Sequence, residues 1–232
     1  MMDENQTIEA PGAGISRRRF FGYAGAIAGA GLLTSIGAGC KKDDDDGRVN
    51  LGGGDLGLLN YAYALEQLEA AFYTEIFKMP FVGISPIELD YLRDIRDHEI
   101  AHRDFLKAVL GSFAIQDLTP NFSTIDFSTR SAVLDAARMF EDLGVSAYNG
   151  AAKYFTQTAE GANYLGVAGK IVSVEARHAA IVRELIQANT FADTSIVDGT
   201  LRIDLAREPS EVLALVAPFV REGLNGDNLI TT

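Results

Sequence analysis

Glu99 and His102 stand three residues apart, as do Glu175 and His178, and these pairs take up two of the chain's three histidines. A helix turns once per 3.6 residues, so positions i and i+3 share a face and can offer a carboxylate and an imidazole to one ion. Two such pairs in one chain point to a dinuclear metal site. Two further acids carry a matching partner: Glu66 is followed seven residues later by Tyr73, and Glu141 by Tyr148. Each acid and its tyrosine then lie two turns apart on one helical face.

Positioning these groups requires four helices. The first pattern runs from an expected N-cap at Asp55 to about Lys78, with Ala62, Leu65, Phe72 and Ile76 on one stripe. The second opens on Ser85-Pro86-Ile87-Glu88, a serine cap, a first-turn proline and a glutamate at the third position, and continues to Leu110. Leu92, Ile95, Glu99, His102, Leu106 and Val109 form its single face. Residues 111–128 lack a helical period and contain Pro120, so they read as an extended connection. A third helix is expected over 129–155 and a fourth over 161–188, a few residues apart. Short loops make neighbours antiparallel, whereas the long one lets helix three run parallel to helix two. The expected fold is all-α: a four-helix bundle with one long crossover between helices 2 and 3, plus a short C-terminal helix over 210–220. The four glutamates fall at about 11 to 13 residues into their helices, so at about 1.5 Å per residue they share one level of the bundle.

The order Glu, Glu-x-x-His, Glu, Glu-x-x-His over residues 55–188 resembles the ferritin-like superfamily, specifically exported ferritin-like domains related to desiccation-associated proteins. The resemblance implies two iron or manganese ions, with Glu99 and Glu175 bridging, His102 and His178 each on one metal, and Glu66 and Glu141 as terminal ligands. Glu69 lies nearer the centre of the first apolar stripe and is the alternative to Glu66, which is preferred because Glu66–Tyr73 repeats the Glu141–Tyr148 spacing. Tyr73 and Tyr148 are expected to hydrogen-bond the ligands or relay electrons. His98 projects about a hundred degrees from Glu99 and reads as a surface or capping histidine. Two doubly charged ions need several negative ligands in a low-dielectric core, and four carboxylates cancel their formal charge. Carboxylate and imidazole suit iron or manganese alike. Such a pair of ions would act on dioxygen or peroxide, as an oxidase, a ferroxidase-like or a peroxide-scavenging protein in stress protection. The alternative is a non-catalytic stress or binding protein whose metals only stabilise the bundle.

The rest of the chain narrows the classes. With 47% hydrophobic residues there is ample material for one packed domain. The net charge of −12 leaves no basic surface for phosphate backbones, which excludes nucleic acid as a partner. One cysteine, Cys40, excludes an intrachain disulfide framework and a Cys-rich zinc site. Ser16-Arg17-Arg18-Arg19-Phe20-Phe21 resembles a twin-arginine export signal, followed by an apolar, glycine-rich stretch from Gly22 to Gly39. Gly37-Ala38-Gly39-Cys40 resembles a lipoprotein processing site, so residues 1–40 read as a signal with Cys40 lipidated. The alternative is an uncleaved membrane anchor. Residues 41–54 read as an acidic and Gly-rich linker, 55–190 as the bundle and 191–232 as a C-terminal extension. The expected location is periplasmic or cell-envelope, and leftover apolar surface on a bundle helix would favour a homodimer.

Overall fold

The computed structural model describes residues 47–230; the signal, Cys40 and the first part of the linker lie outside the described residues. Four long helices, α1 (Gly54–Lys78), α2 (Pro86–Leu110), α3 (Arg130–Ala151) and α4 (Ala159–Ile186), form the bundle, and a short α5 (Pro209–Val216) follows. Among the described residues no helix is long and apolar enough to cross a membrane. Two-residue strands β1 (Val49–Asn50) and β2 (Leu224–Asn225) pair in parallel and tie the start of the described chain to its end.

The local signals act as read at α2, where Ser85 and Glu88 form a reciprocal capping box that spans Pro86. At α1 the cap differs. Gly53 is the N-cap and Asp55 lies within the first turn, its carboxylate accepting hydrogen bonds from the Thr156 amide and hydroxyl instead. A tertiary partner for Asp55 outweighs the local cap. The third helix ends at Ala151 and tightens into a 3₁₀ turn, Ala152–Tyr154. The C-terminal helix stops at Val216, before a 3₁₀ turn, Ala217–Phe219, that contains Pro218.

The helix directions follow from their cross-links. Tyr148 reaches Glu66 and Tyr73 reaches Glu141, so α1 and α3 are antiparallel; His98 reaches His178 and His102 lies against Glu175, so α2 and α4 are antiparallel. With α1 and α2 joined by a short turn, α2 runs parallel to α3, the topology that one long crossover allows.

That crossover does more than connect. It lies along the outer side of α1, where Asn60 donates to the carbonyls of Leu51 and Phe113 and accepts from Ile115 N, and Gln67 accepts from Leu118 N. Seven residues apart, the two amides stand on one face of α1 and satisfy backbone groups that burial would otherwise leave unpaired. Phe122 and Phe127 of the crossover pack on Phe72 of α1, and Phe219 of the tail packs on Phe140 of α3, in one aromatic cluster. On the other side, the C-terminal extension crosses α3 where Gly150 leaves room: a Cβ there would lie 1.7 Å from the Arg207 carbonyl oxygen. Where the acids stand, the bundle core is fully buried.

Candidate metal centre

Glu66, Glu99, Glu141 and Glu175 are each 0% exposed, and His178 is 4% exposed. Four carboxylates with no solvent contact, in the middle of four helices, are the least expected feature of an otherwise apolar core. Two groups of side chains converge there. Glu66, Glu99, His102 and Glu175 form one, Glu99, Glu141, Glu175 and His178 the other, and in each the ligand-type atoms lie within 4.8 Å of one another. Glu99 and Glu175 belong to both.

The two groups are related by a pseudo-two-fold exchange. His102 Nδ1 lies 2.8 Å from Glu175 Oε1, 3.5 Å from Glu66 Oε2 and 3.7 Å from Glu99 Oε2. His178 Nδ1 lies 2.7 Å from Glu99 Oε1 and 3.5 Å from both Glu141 Oε2 and Glu175 Oε2. Each imidazole therefore sits closest to the glutamate of the opposite Glu-x-x-His pair. The tyrosines exchange in the same way: Tyr148 donates to Glu66 Oε1 at 2.6 Å and Tyr73 donates to Glu141 Oε1 at 2.5 Å. Tyr73 does not serve Glu66 on its own helix, as the spacing suggested. Antiparallel packing of α1 on α3 carries each phenol across to the other acid.

Despite these short separations, both Nδ1 atoms, Glu66 Oε2, Glu141 Oε2 and all four oxygens of Glu99 and Glu175 make no hydrogen bond of acceptable geometry. Ring nitrogens and carboxylate oxygens converge on shared points without the alignment of a hydrogen bond. A buried polar atom without a partner is costly, and eight of them in one place need a common partner. Two divalent cations fit that need in charge, in donor type and in number of donors. The residues present suit iron or manganese.

Charge in the metal-free cluster is correspondingly displaced. Burial, reinforced by the charge of Glu175, pushes Glu99 well above the usual carboxylate range, and burial pushes Glu141 up to about 7. Burial opposes a charged His102, but the Glu175, Glu66 and Glu99 carboxylates against it prevail and push it up to about 12. Protons take the place that cations would fill.

Glu69 falls outside both convergent groups. It is nonetheless 3% exposed with Oε2 unpartnered, and burial followed by the charges of Glu175, Glu99, Glu141 and Glu66 raises its pKa well above the ordinary value. Its carboxyl fills space that Gly144 leaves open, since a Cβ on Gly144 would lie 3.0 Å from Glu69 Oε1. His98 is exposed and lies outside both groups, as its rotation away from Glu99 suggested, but it is not without a role in the packing. Its Nδ1 lies 2.9 Å from His178 Nε2, because the edge of α2 that carries it stands against α4 while still open to solvent. The spacing hid this, since the rotation away from Glu99 tells only that His98 leaves the ligand face.

A model of the ferritin-like domain family matches residues 54–188. The match covers more than half of the chain and all four bundle helices, and the chain belongs to that family. A search of curated proteins finds no match.

Proposed function

We propose that this bundle binds two iron or manganese ions and uses them for redox chemistry on dioxygen or peroxide. The observation that supports this reading is the set of eight unpartnered ligand atoms, shared between two groups through Glu99 and Glu175. Glu66, Glu99, His102 and Glu175 would hold one ion, and Glu99, Glu141, Glu175 and His178 the other. Bound there, iron or manganese supplies a change of oxidation state and open positions for an oxygen species. The chain's own groups set the conditions. Tyr148 and Tyr73 donate to Oε1 of Glu66 and Glu141, which orients each carboxylate and leaves Oε2 as its ligating oxygen. The four glutamates are 0% exposed, so the phenols of Tyr73 and Tyr148 are the hydrogen-bond donors that reach Glu141 and Glu66.

Metal analysis of protein purified from its native compartment tests binding, with two ions of iron or manganese per chain expected. Fe(II) oxidation and peroxide consumption test chemistry. Glu141→Ala should abolish whichever activity the wild type shows. A wild type that binds metal, melts earlier on chelation and shows neither activity would instead establish a metal-stabilised bundle without catalysis. Absence of bound metal together with indifference to chelator would remove the dinuclear assignment.

The proposed setting is the cell envelope, supported by the twin-arginine-like motif and by Cys40. Changing Arg17 and Arg18 together to lysine should retain the protein in the cytoplasm, and Cys40→Ser should abolish lipid labelling.

A further inference from the structure

The pseudo-two-fold exchange that relates the two ligand groups fails at one pair of positions beside the histidines. The alignment that places Glu99 on Glu175 and His102 on His178 places His98 on Val174. His98 Nδ1 meets His178 Nε2 at 2.9 Å, with the ring planes 10° apart and the ring centroids 5.1 Å apart. A nitrogen separation so much shorter than the centroid separation places the contact at the ring edges, where an N–H and a lone pair lie. At the matching position Val174 offers no hydrogen-bonding atom. The side chains also differ in shelter: that of His102 is 14% exposed and that of His178 is 5% exposed. A cavity of about 210 Å³ between α2 and α4 reaches the His98–His178 pair from outside, with Tyr91, Asp94, Val174 and Arg177 among its walls.

From this geometry we infer that His98 is a positioning residue that makes the two metal positions inequivalent, so that the ion on His178 binds more tightly than the ion on His102. The inference rests on the di-metal reading above. Nδ1 of His178 faces the carboxylates, so when it ligates, the ring proton resides on Nε2 and is donated to His98 Nδ1. That bond fixes the tautomer, holds the ring at its angle and makes the ligating nitrogen more basic. His102 receives no equivalent help from Val174.

The test is titration of the metal-free protein with Mn(II), followed by the stepwise affinities. Wild type should fill in two unequal steps. His98→Ala should weaken the tighter step about 10–100-fold, the usual effect of losing a partner behind a ligating histidine, and leave the weaker step in place. His98→Asn, whose carboxamide oxygen can take the place of Nδ1 as acceptor, should restore most of the loss. Val174→Asn should narrow the gap from the other side by giving His102 a partner. The melting temperature of metal-free His98→Ala should match wild type, which separates positioning from a general packing role. Two bound ions whose stepwise affinities are the same in wild type and His98→Ala would overturn the inference and leave the di-metal reading standing. A wild type that binds no Mn(II), Fe(II) or other divalent ion would remove both.

Discussion

The first half of the bundle, α1–α2, and the second, α3–α4, present the same ligand types in the same order, yet almost everything around those ligands differs. Glu69 on α1 faces Gly144 at the corresponding position of α3; His98 on α2 corresponds to Val174 on α4. Beyond the ligands, the offset that superposes Glu99 on Glu175 also carries Lys107 onto Arg183 and Asp117 onto Asp193. The first pair is an exposed ion pair, while Arg183 is 4% exposed and grips both Asp142 and Asp193. The Glu and His positions match because both halves face one shared cluster. Their surroundings diverge because α1 packs under the crossover and α3 under the C-terminal extension, so each half answers to a different neighbour.

The largest expected effect comes from breaking what the halves share. Glu99→Ala or Glu175→Ala removes a carboxylate that belongs to both groups, so metal content should fall from two ions per chain to fewer than one. Independent sites would lose one ion and keep the other. Elemental analysis after equal exposure to metal distinguishes the two outcomes. His102→Ala and His178→Ala should act in the same direction.

The second effect breaks the difference at the bundle's flank. Arg183→Ala would strand Asp142, to which the guanidinium donates through Nε and Nη2 at 2.8 and 2.6 Å, and would free the extension held through Asp193 and Ser195. Breaking a buried, bidentate pair by removing one partner costs about 3–5 kcal/mol. Urea denaturation should show a loss of that order, and proteolysis should attack residues 189–207 first.

These contrasts also show what a sequence conveys. The convergence of the Glu and His side chains, the four helices and the crossover were all legible, because each follows from spacing: i to i+3 for Glu-x-x-His, a 3.6-residue apolar period, and a stretch without one. Asp55 was misread as a cap because Thr156, about a hundred residues on, supplies its partner. The reach of Tyr73 to Glu141 and of His98 to His178 depends on which helix lies opposite, and no local pattern carries that. Glu69 was placed correctly as an inward acid, but only the packing against Gly144 sets it apart from Glu66.

The third effect concerns the surplus acid. Glu69 is buried with an unpartnered oxygen and lacks a counterpart on α3, so it burdens the metal-free fold without being in either ligand group. Glu69→Leu should stabilise metal-free protein by about 1–3 kcal/mol, the range for relieving one unsatisfied buried group. The titration of the cluster sets the pH at which this matters. Carboxyls whose folded pKa is raised, Glu69 and Glu99 well above 4.5 and Glu141 to about 7, bind more protons in the fold than in the unfolded chain. His102, raised to about 12 from 6.5, does the same above pH 6.5. The stability they contribute is complete below their unfolded values and declines as pH rises toward the folded ones. Metal-free protein should therefore melt at progressively lower temperature from pH 5 to pH 8. Metal-loaded protein should not follow, since metal displaces those protons and binds better as pH rises. A melting temperature that rises over this interval without metal would contradict the burial of these acids.

The smallest effect sharpens the comparison by its near absence. Lys107 donates to Asp117 at 2.6 Å, a distance no longer than the Arg183–Asp142 contact, so distance alone would rank the two pairs equal. Their surroundings do not. The Lys107 and Asp117 side chains are 49% and 74% exposed, and solvent screens a pair of that kind to well under about 1 kcal/mol. Asp117 also keeps a second donor, the Tyr63 hydroxyl at 3.2 Å, when the lysine is gone. Lys107→Ala should thus lower the unfolding free energy from urea denaturation by about 0.5 kcal/mol or less, and the loss should shrink further in high salt, while the Arg183→Ala loss persists there. Equal losses for the two variants would mean that burial does not decide the strength of these contacts, and that the C-terminal extension holds the second half no more firmly than the crossover holds the first.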